Sequence, residues 1–369
     1  MNVCVDIQPA LSQGAGVGRY TRELAAHLGE CRGTDTVRFF YFDFRRRGPP
    51  LEGFNCRAVR WCPGAIIRKS WEFFDWPPFD RLALRADVFH FPNFIIPPLA
   101  SGRAVVTVHD ASFMRYPEMA EEKNLAYLKA RMSKSIRRAD AIITDSRFSA
   151  GEIVELFRAD PGRVFPIPLG VAGHLRAPER GDIERFRRSR GLDKPYLLTV
   201  GTLEPRKNTA FLAEVFEALN SFDGELVIAG MRGWKYEPIL ERLRASPREG
   251  SIRYLEYVGD EELPALYAGA ELFLFPSVYE GFGFPPLEAM ACGTPVIAST
   301  AGSLPEVLGD GAILVGDFDA GNWAHKISRL LADNARRKIM SDRGRAWVSR
   351  YTWSESARQT WEVYRKAAS

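Results

Sequence analysis

The chain has 369 residues, which is enough for two domains of ordinary size. Its hydrophobic content of 46% and charged content of 26% are those of a soluble globular protein. The net charge of +4 is a mild excess that suits anionic substrates or a phospholipid surface, and it argues against a nucleic-acid partner.

The sequence contains no signal for export or membrane insertion. No apolar run approaches the length that spans a bilayer, and the N-terminal residues lack the basic and apolar regions of a signal peptide. The cysteines have no paired metal-binding spacing. They are Cys4, Cys31, Cys56, Cys62 and Cys292. Free thiols in a reducing compartment are the simplest account, so we expect a cytoplasmic protein.

The chain opens with a predicted strand, a glycine loop and a helix. The strand covers Val3 to Ile7, the loop contains Gly14, Gly16 and Gly18, and an amphipathic helix follows over 19–28. This order is typical of a phosphate-binding turn in an α/β domain. Glycine loops also occur simply to make tight turns, so the loop alone leaves both interpretations open.

The rest of the first half alternates strands with helices. Strands are predicted over 37–43, 87–91, 104–108, 141–145 and 164–168. A basic helix is predicted over 124–139, and Ser146 is expected to cap a helix that begins near Ser149. The strand at 104–108 ends in His109 and Asp110, where ligands bind in open α/β sheets. His90 occupies a similar strand end, so position alone does not separate the two histidines.

Residues 45–80 are predicted to be irregular. The segment begins with Arg45, Arg46 and Arg47. It also contains the aromatic residues Trp61, Trp71, Phe73, Phe74 and Trp76. Basic residues interleaved with aromatics suit a membrane interface or a lipid-linked acceptor. A packed, polar-edged loop is the alternative, and at this stage we favour it.

The second half repeats the alternation. Strands are predicted over 196–200, 226–229, 252–258, 272–275, 295–298 and 312–315. The polar stretch from Gly173 to Gly181 is a predicted linker, so we expect domains at 1–178 and 179–350. Alternating strands and helices in both halves predict the α/β class with two doubly wound, Rossmann-like parallel sheets facing across a cleft.

The most informative stretch runs over 271–295. After the strand at 272–275 comes a loop with Gly281 and Gly283, and a helix is expected to start at two prolines. Glu280 lies on the loop, and Glu288 is expected in the first turn of the helix. This arrangement suits an anionic or polyhydroxylated ligand. The alternative is that Glu288 merely compensates the helix dipole and Glu280 is solvated.

A second cluster of polar residues follows the strand at 196–200. The sequence there is GTLEPRKN, with Arg206 and Lys207 adjacent before the next helix. Two cations at the mouth of a sheet suit a diphosphate, because Arg binds bidentately and Lys supplies a compact charge. A surface basic pair is the alternative.

Taken together, these motifs resemble those of a known family. Glu280 and Glu288 are separated by seven residues, AMACGTPVIAS follows them, and GTLEPRKN, VTVHD and the Gly16 loop precede them in order. The set resembles the glycosyltransferases of family 4 (group 1), and the resemblance covers nearly the whole chain. It implies the GT-B fold, a retaining reaction and a nucleotide-sugar donor. It also implies that a C-terminal helix over 351–369 packs on the first domain.

The resemblance implies roles for individual residues. His109, Glu280, Arg206 and Lys207 would be the catalytic residues: His109 and Glu280 would meet the sugar, and the two cations would hold the diphosphate. The donor-binding residues would be Gly16, Thr202, Gly230, Tyr257, Val258, Gly281, Phe282, Gly283, Phe284 and Glu288. Of these, Glu288 would hold the ribose diol. Many family members have Arg at the position of Thr202, which makes the role of Arg206 less secure than that of Lys207.

The resemblance also implies a mechanism without a cofactor or metal ion. The two cations would stabilise the departing diphosphate, and a front-face reaction would replace a carboxylate nucleophile. The motifs look most like those of mannosyltransferases that build bacterial surface polysaccharides such as lipopolysaccharide. We therefore expect GDP-mannose as donor and a glycan or lipid-linked saccharide as acceptor, with peripheral contact at the inner face of the cytoplasmic membrane as an open alternative.

Other functions are weighed against this one. A UDP-hexose-dependent enzyme of the same fold, or a sucrose- or trehalose-type synthase, would keep the architecture. A phosphorylase would need a lysine suited to pyridoxal phosphate, and no such motif is present. A dinucleotide-binding oxidoreductase would use an acid such as Asp43 after the glycine loop, but it leaves the second-half motifs unexplained.

Overall fold

The chain forms two compact α/β units. The computed structural model describes residues 1–12, 16–31, 33–46, 48 and 54–369. Unit 1 comprises Met1–Arg115, Glu122–Gly170 and Tyr351–Ser369, and unit 2 comprises Tyr116–Glu121 and Val171–Arg350. The boundary expected at 178/179 therefore lies inside unit 2.

Unit 1 contains a seven-stranded, fully parallel sheet in the order β3-β2-β1-β4-β5-β6-β7. Its strands are β1 (Asn2–Asp6), β2 (Thr36–Phe42), β3 (Cys56–Val59), β4 (Val88–Phe91), β5 (Arg103–Val108), β6 (Ala141–Thr144) and β7 (Val164–Pro166). Its first helices are α1 (Gln8–Ser12), α2 (Val17–Leu28), α3 (Gly64–Phe74), α4 (Phe79–Ala83), α5 (Ser112–Arg115), α6 (Glu122–Arg138) and α7 (Arg147–Phe157). The predicted cap is present, since Ser146 accepts a hydrogen bond from Ser149 N at the start of α7.

Unit 2 contains a six-stranded, fully parallel sheet in the order β10-β9-β8-β11-β12-β13. Its strands are β8 (Tyr196–Val200), β9 (Glu225–Ala229), β10 (Ile252–Tyr254), β11 (Leu272–Phe275), β12 (Val296–Ser299) and β13 (Ala312–Val315). Its helices are α8 (Arg180–Arg190), α9 (Phe211–Ala218), α10 (Glu237–Arg244), α11 (Leu263–Ala268), α12 (Phe284–Ala291), α13 (Leu304–Leu308), α14 (Ala320–Leu331) and α15 (Asn334–Val348).

The last helix, α16 (Trp353–Ala368), belongs to unit 1. Thr352 caps it by accepting from the Glu355 N–H. Its buried face includes Trp361, whose Nε1 donates to the Leu28 carbonyl at the end of α2 at 2.9 Å. The helix thereby covers one face of the first sheet.

The α/β class with two doubly wound parallel sheets is confirmed. Every residue of β4, β6, β11 and β12 is buried, because helices cover both faces of each sheet. Aromatic packing fills the core of unit 1. There the buried Phe79 ring lies 4.6 Å from that of Phe40 and 5.0 Å from that of Phe91, centroid to centroid.

The prediction of an irregular segment over residues 45–80 is wrong. The segment contains β3, α3 and α4, while Arg47 lies outside the described residues. Pro63 and Pro78 each stand directly before a helix and serve as its N-cap position. Ile67 and Trp71 then share one face of α3. Ile67 is buried, and the Trp71 ring packs 6.0 Å from that of Phe79.

The predicted strand over 252–258 is also too long, because β10 ends at Tyr254. Glu256 adopts a φ of 52°, which is incompatible with a strand. Its carbonyl accepts instead from Gly230 N at 2.6 Å. The chain thus turns towards the loop after β9.

Among the described residues, no helix is both long and apolar enough to cross a membrane. All five cysteines have free thiols, and Cys4 and Cys292 are buried.

Candidate active site

In unit 2, the loops after β8 and β11 meet at the carboxyl ends of their strands. The two strands are neighbours, with Leu197 opposite Leu272. The loop after β8 forms a single 3-10 turn, Pro205–Lys207, and the Arg206 carbonyl accepts from Val278 N at 2.9 Å. The turn therefore presents two successive cations to the loop that carries Glu280.

A buried cluster of charged side chains occupies this junction. Lys207 Nζ lies 2.6 Å from Glu280 Oε1, and Arg206 Nη1 lies 3.0 Å from Glu280 Oε2. Arg206 Nη2 also contacts Glu204 Oε1 at 2.6 Å. The Glu280 side chain is only 6% exposed and those of the cations 14–17%. The structure thus brings together three of the four predicted catalytic residues.

The cluster fixes the protonation state of Glu280. Burial by itself raises the pKa of this carboxyl group, but the charges of Lys207 and Arg206 outweigh burial and lower the pKa to about 2. Glu280 is therefore ionised throughout the physiological pH range. An ionised carboxylate accepts hydrogen bonds from hydroxyl groups and has no proton to give to a leaving group.

The two cations differ in how tightly the protein holds them. The Arg206 guanidinium contacts two carboxylates and donates to the Tyr279 carbonyl at 2.8 Å. Lys207 makes one ion pair, and its ammonium lies 5.1 Å from the centroid of the Phe275 ring. A flexible lysine can redirect its charge to a phosphate more readily than an arginine fixed on three sides.

Backbone geometry holds the loop that follows Glu280. Gly302 has a φ of 60°, and a Cβ there would lie 2.3 Å from the Glu280 carbonyl oxygen, so only glycine fits. Ser303 donates from its N–H to the Glu280 carbonyl and from its hydroxyl to the Phe282 carbonyl, both at 3.0 Å. Gly283 has a φ of 102° and precedes the first residue of α12, Phe284. Gly281 and Phe282 are buried within the same loop.

The position of Glu288 differs from the prediction. Because α12 begins at Phe284, its first turn contains no acidic residue, and Glu288 lies in the second turn. The interaction with the helix dipole falls off within the first turn, so dipole compensation accounts poorly for Glu288. The residue is buried, and its Oε2 accepts from the Tyr267 hydroxyl at 2.8 Å.

Four other predicted donor-binding residues lie in the loops after β8, β9 and β10. A Cβ on Gly230 would come within 1.9 Å of the Gly201 carbonyl oxygen, so Gly230 allows the first two loops to touch beside the half-buried Thr202. After β10, Val258 is buried whereas Tyr257 is 64% exposed. The exposed ring offers a surface on which a base could stack.

In unit 1, His109 lies beside an acid that the sequence reasoning did not select. Val108 of β5 pairs with Thr144 of β6, so His109 and Asp145 leave neighbouring strands at the same edge. His109 Nδ1 lies 2.8 Å from Asp145 Oδ2, and His109 Nε2 lies 3.0 Å from the Pro92 carbonyl oxygen. The pairing of β5 with β6 places His109 and Asp145 side by side, and the sequence reasoning did not use this pairing to select Asp145.

These contacts indicate a protonated imidazole. The Pro92 carbonyl only accepts hydrogen bonds, so Nε2 of His109 carries a proton, and the carboxylate form of Asp145 accepts a second hydrogen bond from Nδ1. Burial opposes the charge, but Asp145 and the Pro92 carbonyl raise the pKa of His109 above its ordinary value. The contacts therefore favour the protonated ring while burial also raises the pKa of Asp145, and both ring nitrogens of His109 point to protein groups.

Gly16 stands directly before α2 with a φ of 56°, and its carbonyl accepts from Tyr20 N at 3.0 Å. Gly14, from the same predicted loop, lies outside the described residues. Besides Asp145, the sequence reasoning missed Glu204 and Tyr267, which hold Arg206 and Glu288. Glu204 is part of the GTLEPRKN motif, but the sequence did not indicate that its side chain is buried.

The described residues contain no group of three or more His, Cys, Asp or Glu side chains placed to hold a metal ion.

Comparisons with known proteins show the family to which the chain belongs. The family described as Glycosyltransferase Family 4 matches residues 14–172, and the family described as Glycosyl transferases group 1 matches residues 182–347. O-antigen chain mannosyltransferase B from Escherichia coli is 31% identical over 99% of this chain and 100% of that protein.

Two solved structures show the same fold. Sucrose-phosphate synthase from Thermosynechococcus elongatus has a TM-score of 0.78 at 22% identity, over 99% of this chain and 98% of that one. Anabaena HepE in complex with UDP-glucose has a TM-score of 0.74 at 17% identity, over 98% of each chain. The chain therefore belongs to the glycosyltransferases of family 4 (group 1) and has the GT-B fold.

Proposed function

We propose that this glycosyltransferase moves mannose from GDP-mannose, with retention of configuration, onto a glycan or lipid-linked saccharide in surface-polysaccharide biosynthesis. The observation that carries the proposal is the buried cluster of Lys207 and Arg206 around the ionised Glu280. The choice of mannose is supported by the full-length similarity to an O-antigen chain mannosyltransferase.

The cluster suits a donor that joins hydroxyl groups to a diphosphate. The cluster carries no net charge, because two carboxylates, Glu204 and Glu280, face two cations, Arg206 and Lys207. A diphosphate therefore enters a site in which the positive and negative charges are already balanced. Lys207, the less constrained cation, turns towards the phosphates, and Arg206 keeps Glu280 in place. Glu280 then accepts hydrogen bonds from the sugar hydroxyls.

Positive charge assists the breaking of the glycosidic bond, and no protein side chain acts as a nucleophile. As the glycosidic bond lengthens, negative charge grows on the diphosphate, and cations in a site with little water stabilise it by several kcal/mol. Glu280 is committed to its two cations and serves as neither nucleophile nor acid. The leaving phosphate accepts the proton of the acceptor hydroxyl on the same face of the sugar, which retains configuration. The proposal requires no metal ion and no cofactor.

His109 contributes a positive charge near the sugar. Its two N–H groups are committed to Asp145 and Pro92, so the ring acts as a fixed charge and a steric wall and does not act as a general base. Glu288, held by Tyr267, binds the ribose diol of the nucleotide.

The second candidate is a UDP-hexose donor. It is favoured by HepE, a protein of the same fold that was solved in complex with UDP-glucose. The two candidates differ in the base and the sugar but share the diphosphate, so the same charge cluster serves either one.

A donor panel separates the two candidates. Purified protein is titrated calorimetrically with GDP, GDP-mannose, UDP and UDP-glucose, and product formation with each sugar nucleotide is followed by mass spectrometry. The proposal expects GDP-mannose to bind most tightly and to be the donor that is consumed. Tighter binding and turnover of UDP-glucose would replace mannose by glucose, and binding of none would contradict a donor site.

We further propose that the segment around α3 contacts an anionic membrane surface. Five large apolar side chains there are 58–77% exposed, namely Trp61, Ile66, Phe73, Phe74 and Trp76. Arg68 and Lys69 on α3 are exposed as well. Exposed aromatics next to basic residues suit the interface of a bilayer with anionic headgroups, where a lipid-linked acceptor would be found.

Flotation with liposomes tests this contact. Wild-type protein is expected to float with vesicles that contain phosphatidylglycerol and to remain behind with pure phosphatidylcholine. The double variant Phe73→Ser, Phe74→Ser removes exposed rings without touching the core, and we expect it to lose flotation. The matched control Tyr257→Ser removes an equally exposed ring in unit 2 and should float normally. Equal flotation of all three proteins would contradict the contact.

A further inference from the structure

We propose that Tyr20 is a positioning residue for His109, and that a buried chain of hydrogen bonds starting on α16 holds Tyr20 in place. The inference rests on the proposed role of His109 in transfer. It concerns four residues to which the family resemblance assigns no role, Tyr20, His90, Thr107 and Tyr364, all of them in unit 1.

The chain of hydrogen bonds runs from the last helix through the sheet to α2. The Tyr364 hydroxyl lies 2.7 Å from His90 Nδ1, and His90 Nε2 lies 2.8 Å from Thr107 Oγ1. Thr107 Oγ1 in turn lies 2.9 Å from the Tyr20 hydroxyl. All four side chains are buried, with relative exposures of 0–2% for their residues. The link therefore joins α16, β4, β5 and α2 without water.

The central histidine of this chain is neutral. Burial, together with the neighbouring charge of His109, lowers the pKa of His90 to about 3. A neutral imidazole has one donor and one acceptor nitrogen, so it accepts a hydrogen bond from one hydroxyl and donates one to the other. His90 therefore stays neutral at any pH at which the enzyme works, and the chain of hydrogen bonds does not change with pH.

Tyr20 connects this support to two predicted parts of the donor site. Its ring meets the His109 ring edge to face, with centroids 4.8 Å apart and an interplanar angle of 81°. Its N–H donates to the Gly16 carbonyl at 3.0 Å. Phe94 flanks His109 as well, with a centroid distance of 5.6 Å. Tyr20 thus fixes the His109 ring and the residue that ends the glycine loop relative to each other.

Packing alone does not call for such a chain. Apolar side chains of similar size would fill the same space without burying three hydroxyls and an imidazole, whose desolvation is unfavourable unless every hydrogen bond forms. A satisfied polar chain restricts orientation more strongly than apolar packing does. The benefit is greatest where the ring at its end must hold a catalytic group in one place.

The experiment breaks the chain at its centre. Thr107→Val keeps the shape and removes the hydroxyl, and Tyr20→Phe removes the other half of the same bond. Each is expected to lower kcat about three- to tenfold with the KM for the sugar nucleotide unchanged, since Tyr20→Phe loses one hydrogen bond of the chain and Thr107→Val loses two. The double variant should be no worse than Thr107→Val alone, because Tyr20→Phe removes only a hydrogen bond that Thr107→Val has already removed. Additive losses would overturn the proposal.

Trp361→Phe is the matched control. It removes a buried hydrogen bond from the same helix, that of Nε1 to the Leu28 carbonyl, and it keeps an aromatic ring beside Tyr364. We expect this variant to lose stability and to keep the kcat of wild type. A loss of kcat equal to that of Thr107→Val would show that the effect is only structural, and it would overturn the proposal.

Nitrogen chemical shifts of the histidine rings give a readout that does not depend on transfer. The chain has only five histidines, so the His109 signals can be assigned with a His109→Gln variant. Thr107→Val should shift these signals and Trp361→Phe should not, and unmoved signals in Thr107→Val would refute the positioning role. If the signals shift but His109→Gln transfers sugar normally, the proposed function of His109 fails while the positioning of its ring stands.

Discussion

The two units each bury an ion pair at the carboxyl edge of a parallel sheet, and the two pairs are built in opposite ways. In unit 2 the acid is central: Glu280 is held by two cations. In unit 1 the cation is central: His109 lies between Asp145 and the Pro92 carbonyl. The first arrangement lowers the pKa of an acid to about 2, and the second raises the pKa of a base.

The difference shows which groups can exchange partners when a donor binds. Glu280 contacts two cations, and we infer that Lys207 can turn to a phosphate while Arg206 maintains the pair. His109 has no spare N–H, so it stays where it is. Unit 2 is therefore suited to capture charge, and unit 1 to present a fixed one.

Removal of Glu280 should have the largest effect. Glu280→Gln leaves two buried cations with Glu204 as their remaining acid, and the loss of one partner of a buried pair costs about 3–5 kcal/mol of unfolding free energy. We expect transfer to fall more than about 100-fold, since the sugar loses its acceptor and the cations move. Urea denaturation and initial rates measure the two effects.

Glu256→Gln is the control for that change. Glu256 pairs with Arg232, and both side chains are about half exposed, at 58% and 49%. An exposed pair contributes little to stability, so this variant should be nearly as stable and active as wild type. Equal losses in the two glutamine variants would contradict a special role of the buried cluster.

An intermediate effect is expected from Arg206→Lys. The change keeps the charge but loses the planar fork that contacts Glu204, Glu280 and the Tyr279 carbonyl together. We expect unfolding free energy to fall by about 1–3 kcal/mol and kcat to fall roughly tenfold, with nucleotide affinity changed less. A variant that loses nucleotide affinity but no stability would reverse the roles assigned to Arg206 and Lys207.

The smallest expected effect is a difference in how pH changes the contribution of each ion pair to stability. The folded-state pKa of His109 is raised above the ordinary value of about 6.5, so its contribution to stability is complete below that pH and is lost as pH rises through the folded pKa. The folded-state pKa of Glu280 is lowered, so its contribution is complete above its ordinary value of 4.5 and is lost only as pH falls towards about 2.

Urea denaturation at pH 6 and pH 9 tests this contrast. The stability difference between wild type and His109→Gln should shrink from pH 6 to pH 9, whereas the difference between wild type and Glu280→Gln should stay constant. A constant difference for His109→Gln would mean that its ring is not protonated in the folded state.

Local patterns predicted much of the fold and part of the site. The strands β8, β11 and β13 have the predicted bounds, because short apolar runs between turn residues leave little choice. The segment over 45–80 failed because its prolines begin helices there, and that depends on the packing of Ile67 and Trp71 onto the sheet.

The site, too, was predicted only as far as local sequence patterns reach. Arg206, Lys207 and Glu280 were recognised from motifs, and the structure joins them. Asp145 and Glu204 were missed, because their importance comes from the side chains beside them in space and from burial, which one sequence does not display. Glu288 was placed one turn too early, because the helix starts at Phe284, before the prolines.

The most direct test of the account is whether Lys207 recognises the second phosphate of the nucleotide. Lys207→Met keeps the apolar stem and removes the charge, and calorimetry compares GDP with GMP, and UDP with UMP, on both proteins. The account predicts that wild type binds the diphosphate of its preferred base at least about tenfold more tightly than the monophosphate, and that Lys207→Met loses this difference. An unchanged ratio in the variant would contradict the assignment of the charge cluster as the diphosphate site.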